Sequence, residues 1–134
     1  MNVNNKTLLC FDYGEKRIGV AVGQTVTSTA TALQTIPVVN KKPDWEKIRT
    51  LVNEWRPDKF IVGHPFTLEG GRQKMTDAAE HFSRQLEHRF KLSVDLINEQ
   101  LSSYEARREL KSTRGLDPTS ARLILETWLR ENTE

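Results

Sequence analysis

Residues 8–22 read LLCFDYGEKRIGVAV and carry the most informative structural pattern of the sequence. Two apolar runs, 8–11 and 18–22, stand on either side of Asp12 and a short segment with glycine and charged residues. Such runs are typical of buried strands, and their closeness indicates an antiparallel hairpin with Gly14 or its neighbours in the turn. The sequence therefore predicts two paired strands, the first of which ends in an acid.

After this hairpin the pattern gives one more strand and then alternates between helix and strand. The predicted elements are a strand at 32–39, a helix from its N-cap Asp44 to Arg56 and Pro57, a strand at 60–63, an exposed loop at 67–74, a helix with its apolar face over 78–90, a strand at 94–99, a helix capped by Ser102 and Glu105, and a last helix opened by Asp117 and Pro118. This order predicts an α/β fold with a five-stranded mixed sheet flanked by helices.

Length and composition limit the architecture. The 134 residues fit a single domain over 1–134, and 37% hydrophobic with 28% charged residues indicate a packed core. The net charge of +2 does not by itself identify a nucleic-acid binder, so any basic surface must be local. Cys10, the only cysteine, excludes an intrachain disulfide and is expected in the core.

The amino-terminal residues indicate where the protein acts. They are polar where a signal peptide needs an apolar segment, and no later run reaches membrane-spanning length. We therefore expect a cytoplasmic protein that does not bind membranes.

Acidic residues fall at the ends of three predicted elements. Asp12 ends the first strand, Glu99 ends the last strand, and Asp117 begins the last helix. Carboxylates that converge repel by about 4 kcal/mol per pair at ~4 Å and an effective dielectric near 20. A divalent cation removes that penalty, and oxygen ligands without Cys or paired His favour Mg²⁺ or Mn²⁺ over zinc.

Each of these acids also has a plainer interpretation. Asp12 fits a turn aspartate, Glu99 a solvated charge before a helix, and Asp117 a helix N-cap before proline. Spacing alone does not decide between a metal site and these roles.

Basic and aromatic residues add candidates for nucleic-acid contact. Lys16 and Arg17 follow Asp12 in the turn, and Arg114 precedes Asp117. They are the preferred phosphate contacts, with a solvated basic face as the alternative. The tryptophans follow core stripes and are predicted to pack rather than to stack on bases, and the histidines are predicted to be structural or surface residues. They are Trp45, Trp55 and Trp128, and His64, His81 and His88.

Four segments together carry a family resemblance. They are LCFDYGEKRIGVA at 9–21, IVGHP at 61–65, NEQLSSYEA at 98–106 and DPTSA at 117–121. The combination resembles the YqgF/RuvX family of Holliday-junction resolvases, also described as pre-16S rRNA nucleases. The first segment is the most specific.

The resemblance implies a ribonuclease-H-like fold in which Asp12, Glu99 and Asp117 correspond to the family's catalytic metal ligands. It implies Mg²⁺-dependent or Mn²⁺-dependent hydrolysis of phosphodiester bonds by two metal ions, with Asp12 between them. The sequence departs from the family pattern at Gln100, where the family usually has arginine, and at Pro118, where it often has a small polar residue. The first departure removes a cation beside the scissile phosphate.

The expected substrate is precursor rRNA, cut in 5′-end processing of pre-16S rRNA during ribosome biogenesis. A chain of this size with one site has no evident means of cutting a junction symmetrically, and we expect a monomer or weak homodimer. Two alternatives stay open: a Holliday junction resolvase acting on branched DNA in recombination and repair, and a non-catalytic nucleic-acid-binding module. An actin-like ATPase or sugar kinase also begins with Asp-x-Gly, but it needs two such domains around its nucleotide.

Overall fold

The computed structural model describes residues 6–14, 16–65, 72–99 and 119–132. The elements in these ranges are β1 (Thr7–Asp12), β2 (Arg17–Gln24), β3 (Thr29–Val39), β4 (Lys42–Pro43), α1 (Trp45–Trp55), β5 (Lys59–Pro65), α2 (Arg72–Phe90), β6 (Val94–Glu99) and α3 (Thr119–Asn132). The predicted loop at 67–74 was too long, because α2 already begins at Arg72. The helix predicted from Ser102 lies outside the described residues.

The strands form one sheet in the order β4-β3-β2-β1-β5-β6. The pairs β1–β2, β2–β3 and β3–β4 are antiparallel, whereas β1–β5 and β5–β6 are parallel. The predicted α/β class with a mixed sheet is therefore confirmed. No helix in the described ranges is long and apolar enough to cross a membrane.

Within the described residues the sheet has six strands, whereas five were predicted. Asn40 and Lys41 adopt positive φ angles of 52° and 63°, and the chain turns back so that Lys42 pairs with Val39. A strand of two residues gives no periodic signal, and its proline is acceptable only because it lies at the edge of the sheet.

The predicted hairpin of the first two strands is confirmed. Asp12 pairs with Gly19 at its closed end, and a Cβ atom on Gly14 would lie 2.6 Å from the carbonyl oxygen of Arg17. Only glycine leaves room for that approach. The amide of Tyr13 then donates to the carbonyl oxygen of Gly63 at 2.8 Å, which extends the pairing of β1 with β5 beyond Asp12.

Both faces of the sheet are covered, which explains why β1 is a continuous apolar run. Leu9 and Phe11 join a cluster with α1 and α2, which we call the α1/α2 core. Leu8 and Cys10 join a cluster with α3, which we call the α3 core. Cys10 is fully buried, as predicted. Side chains of β1 thus alternate between two cores, and the position of each residue in the strand decides its face.

Local signals at the helices are also confirmed. Asp44 caps α1 by accepting a hydrogen bond from the Lys47 amide at 3.3 Å, and the helix ends at Arg56 in the left-handed conformation. The tryptophans pack as predicted: Trp45 and Trp55 against the α1/α2 core, and Trp128 against the α3 core. His81 and His88 are exposed, and the side chain of His64 is not among those described.

Candidate metal and nucleic-acid site

Asp12 lies at the carboxyl end of β1, in the middle of the sheet. Its register partners are Gly19 on β2 and Gly63 on β5. Directly paired residues share a face of the sheet, so Asp12 has no side chain beside it on either neighbouring strand. Both glycines are buried, and the side chain of Ile124 on α3 packs over Gly63.

The Asp12 carboxylate is only partly accessible. Its Oδ1 atom is shielded from solvent and accepts no hydrogen bond, although the residue as a whole does interact with its surroundings. A buried carboxylate oxygen costs free energy that a cation offsets, and hard oxygen donors suit Mg²⁺ and Mn²⁺. The chemistry of this position therefore fits the divalent metal that the sequence predicts.

Glu99 ends β6 at the same edge of the sheet. The parallel register pairs Gly63 with Ile97 and Pro65 with Glu99. Because β6 is two strands from β1, the backbones are roughly 10 Å apart across the sheet. Ile97 packs against the α3 core, and strand alternation puts position 99 on the same face. This is the face on which Asp12 lies.

The direction of α3 is set by contacts with the sheet. Ile124 lies over Gly63, which pairs with Asp12, while the indole N–H of Trp128 donates to Asp95 Oδ2 at 3.1 Å. Asp95 pairs with Ile61, two residues before Gly63 along β5. The helix therefore runs from the end of the sheet that carries Asp12 toward the opposite end. Its first residue, Thr119, lies on the Asp12 side. Asp117, which precedes α3, lies outside the described residues.

The two basic candidates of the hairpin lie at this edge. Lys16 and Arg17 are exposed, and the backbone carbonyl of Lys16 accepts from the amide of Val38 at 2.9 Å. Arg17 comes two residues before Gly19, the partner of Asp12. Arg114 and Gln100 lie outside the described residues. Among the side chains that are described, which exclude those of Glu99 and Asp117, no three His, Cys, Asp or Glu converge on a metal position.

Sequence reasoning missed the two glycines that flank Asp12. Both stand inside otherwise apolar strand runs, where glycine often marks a close approach to a ligand or to another element. That signal was present at Gly19 and Gly63. Only the strand register, however, makes both of them partners of the same aspartate.

Residues 6–131 match the RuvX family model, whose description is Holliday junction resolvase. The chain belongs to the RuvX family. It is 44% identical over 133 residues to a Coxiella burnetii protein named "Putative pre-16S rRNA nuclease", covering 95% of this chain and 94% of the relative. A protein of the same name from Pectobacterium atrosepticum is 41% identical over 134 residues, covering 94% and 96%. The predicted resemblance is confirmed, and this RuvX member is a nuclease.

A solved structure of another protein has the same fold as the RuvX chain. RuvC from T. thermophilus, in complex with Holliday junction substrate, superimposes with a TM-score of 0.62 over 94% of both chains. At 14% identity this likeness concerns the fold alone. The predicted ribonuclease-H-like architecture is confirmed.

The close packing of α3 on Gly63 yields a first testable prediction. A Cβ atom on Gly63 would lie 3.1 Å from both Cδ1 and Cγ2 of Ile124. We expect Gly63→Ala to lower the free energy of unfolding by about 1–2 kcal/mol, because overpacking forces α3 or Ile124 to shift. Urea unfolding measures the change.

The matched double variant separates steric pressure from a general backbone effect. Ile124→Val removes Cδ1, one of the two atoms that meet the new methyl group. The loss in Gly63→Ala/Ile124→Val should therefore be smaller than the sum of the two single losses by about 0.5 kcal/mol or more. Strict additivity would show that the Gly63–Ile124 contact does not set the position of α3.

Proposed function

We propose that this RuvX chain is a Mg²⁺-dependent or Mn²⁺-dependent nuclease that processes the 5′ end of pre-16S rRNA in the cytoplasm, with one nuclease domain over residues 1–134. Support for the substrate comes from the relatives named as pre-16S rRNA nucleases, which are 41–44% identical over nearly the whole chain. Support for the chemistry comes from the surroundings of Asp12.

The observation that carries the proposal is the position of Asp12. It pairs with a glycine on each neighbouring strand. It lies at the end of the sheet where β6 also ends and where the first turn of α3 begins. Asp12, Glu99 and Asp117 are the residues that would hold the metal. When bound, divalent ions supply Lewis-acid activation of the attacking water and stabilisation of the leaving 3′ oxygen.

The chain's own groups would position the substrate. The Asp12 carboxylate is partly accessible, and with glycine at both paired positions no side chain of a neighbouring strand would block the phosphodiester backbone there. Lys16, Arg17 and Arg114 are proposed to contact phosphates, since exposed Lys and Arg side chains orient nucleic acid through its backbone. With glutamine at position 100, these residues would supply the positive charge near the scissile bond.

A second candidate substrate is branched DNA, favoured by the family description as Holliday junction resolvase. A junction resolvase makes two symmetric cuts and needs two sites in one assembly. A monomer or weak homodimer, which we propose for this chain, suits cleavage at one position of an RNA better.

A side-by-side cleavage assay tests the proposal. A 5′-extended 16S precursor and a four-way DNA junction are incubated with the protein in Mg²⁺, in Mn²⁺ and in chelator, with the Asp12→Asn variant as control. We expect metal-dependent cleavage of the precursor and none in chelator. Cleavage of the junction alone would favour the resolvase. Cleavage of neither substrate would contradict the nuclease proposal and favour a nucleic-acid-binding module.

A further inference from the structure

A basic strip crosses the α3 side of the sheet beyond the predicted site. On β2, Ile18 and Val20 point into the α1/α2 core, so Arg17 and Gly19 belong to the opposite face, that of Asp12. On β3, Val38 lies in the α1/α2 core, which puts Val39 on the α3 side.

Lys42 lies on the same face as Val39. The two residues are register partners across β3 and β4, and partners share a face of the sheet. We call the surface formed by Arg17, Val39 and Lys42, with Lys41 in the turn between β3 and β4, the hairpin strip. It begins near Asp12, at the carboxyl end of β1. From there it continues across β2 and β3 to β4, the outermost strand of the sheet.

The hairpin strip is open to solvent. Val39 is 65% exposed, and Arg17, Lys41 and Lys42 are exposed as well. The helix α3 packs on β3 at Ala30, far along the strand from Val39, and so leaves this end of the face uncovered. The strip thus combines an exposed apolar side chain with exposed cations, a composition that fits the anionic phosphates of a nucleic-acid strand and the C–H groups of its sugars.

Acidic side chains in the described part of the chain do not neutralise the far end of the strip. No ion pair within the described ranges involves Lys41 or Lys42. The nearest acid in sequence, Asp44, caps α1 through the Lys47 amide, and Glu46 pairs with Arg49 at 3.5 Å. Both acids are therefore engaged at the helix start rather than with these lysines.

We propose that the hairpin strip binds the phosphate backbone of the substrate at a distance from the scissile bond, with Lys42 as the main far contact and Lys41 beside it. The inference rests on the proposed function, because it takes Asp12 as the position of cleavage. Three inter-strand spacings separate β1 from β4, which is roughly 14 Å. The contacts at Lys42 therefore fall a few nucleotides from the cut and should depend on substrate length.

Binding in chelator tests the strip without cleavage. Fluorescence anisotropy measures the affinity of wild type and Lys42→Gln for a labelled 5′-extended 16S precursor fragment, between about 50 and 200 mM salt. One lost phosphate contact lowers the slope of log affinity against log salt by about 0.7–0.9. The affinity advantage of wild type over Lys42→Gln should therefore shrink about threefold over this range.

Lys91→Gln is the matched control. Lys91 is exposed, and Lys91→Gln removes the same charge as Lys42→Gln. Lys91 follows α2 and lies before the start of β6, at the end of the sheet opposite to Asp12. Its substitution should leave the salt slope unchanged. Two shortened fragments supply the second control, each with only one or two nucleotides left on one side of the cleavage point. The strip would contact the substrate on one side of the cut, so the effect of Lys42→Gln should disappear on the fragment that lacks that side.

Each outcome decides the inference. Equal salt slopes for Lys42→Gln and wild type would overturn it. An effect of Lys42→Gln on affinity that is the same for all fragment lengths would overturn it as well. Wild type that binds the fragment with the predicted Lys42 dependence but never cleaves it would contradict the proposed nuclease substrate and leave the strip supported. If wild type cleaves the fragment while Lys42→Gln binds it like wild type, the proposed nuclease substrate is supported and the strip is contradicted. A wild type that does not bind the fragment would contradict both.

Discussion

Asp12→Asn is expected to lower nuclease activity by about 10³-fold while the fold stays intact. The amide keeps the size of the side chain but loses the charge that a divalent metal requires. Metal-assisted charge stabilisation is worth several kcal/mol, and each 1.36 kcal/mol corresponds to a factor of ten in rate. Single-turnover cleavage of the 16S precursor, at saturating Mg²⁺ or Mn²⁺, measures the loss.

A second readout for Asp12→Asn does not depend on catalysis. A metal that binds only the native state raises stability by about 1.4 kcal/mol when its concentration is ten times its Kd. We expect wild type to show such a metal-dependent rise in Tm and Asp12→Asn to lack it. Without metal the two proteins should unfold alike, or the variant should be more stable, because a partly buried charge has been removed.

Asp58→Asn is the matched control for this experiment. Asp58 is exposed and lies just before β5, at the opposite edge of the sheet, where its Oδ2 accepts from the Thr7 amide at 2.9 Å. The amide oxygen of asparagine still accepts that bond, so activity and metal-dependent Tm should match wild type. If Asp12→Asn also behaves like wild type, Asp12 is not a metal ligand.

Phe82→Ala is expected to have the largest effect on stability, a loss of about 3–5 kcal/mol in the free energy of unfolding. Phe82 is 1% exposed and lies at the centre of an aromatic cluster. Its ring centroid is 5.6 Å from that of Phe11, 5.1 Å from Tyr13 and 5.5 Å from Trp45. Truncation would leave a cavity between α2 and the end of β1 that carries Asp12, and small domains have only about 5–15 kcal/mol of total stability.

Comparison with a peripheral aromatic tests this prediction. Phe90 is only partly buried and packs its ring on Phe60 at 5.8 Å, so Phe90→Ala should cost clearly less in urea unfolding. Phe82→Leu fills part of the cavity and gives a measurable intermediate if the alanine variant does not fold. An equal loss for Phe82→Ala and Phe90→Ala would show that the cluster is not centred on Phe82.

Much of the fold follows from short-range sequence signals. The apolar runs on both sides of Asp12 predict the β1–β2 hairpin, and Asp44 and Arg56 predict the limits of α1, because caps and turns depend on neighbouring residues. The family resemblance extends this to the site, and Asp12 is found at the end of the first strand as predicted. The roles of Glu99 and Asp117 as ligands stay predictions.

Local signals were insufficient where pairing partners are distant in the chain. The two residues of β4 and the early start of α2 at Arg72 were missed, since neither has a periodic pattern of its own. The loop, helix and last N-cap predicted over 67–71, 102–105 and 117 lie outside the described residues.

Short-range sequence patterns were sufficient to predict that Asp12 ends an apolar strand and that this strand begins a mixed α/β sheet. The positions of Gly19 and Gly63 beside Asp12, the start of α3 near it and the place of Lys42 on the same face became known from the folded chain. The physical reason is strand register: shifting one strand by a single residue moves each of its side chains to the other face. That register is fixed by contacts between residues far apart in the chain.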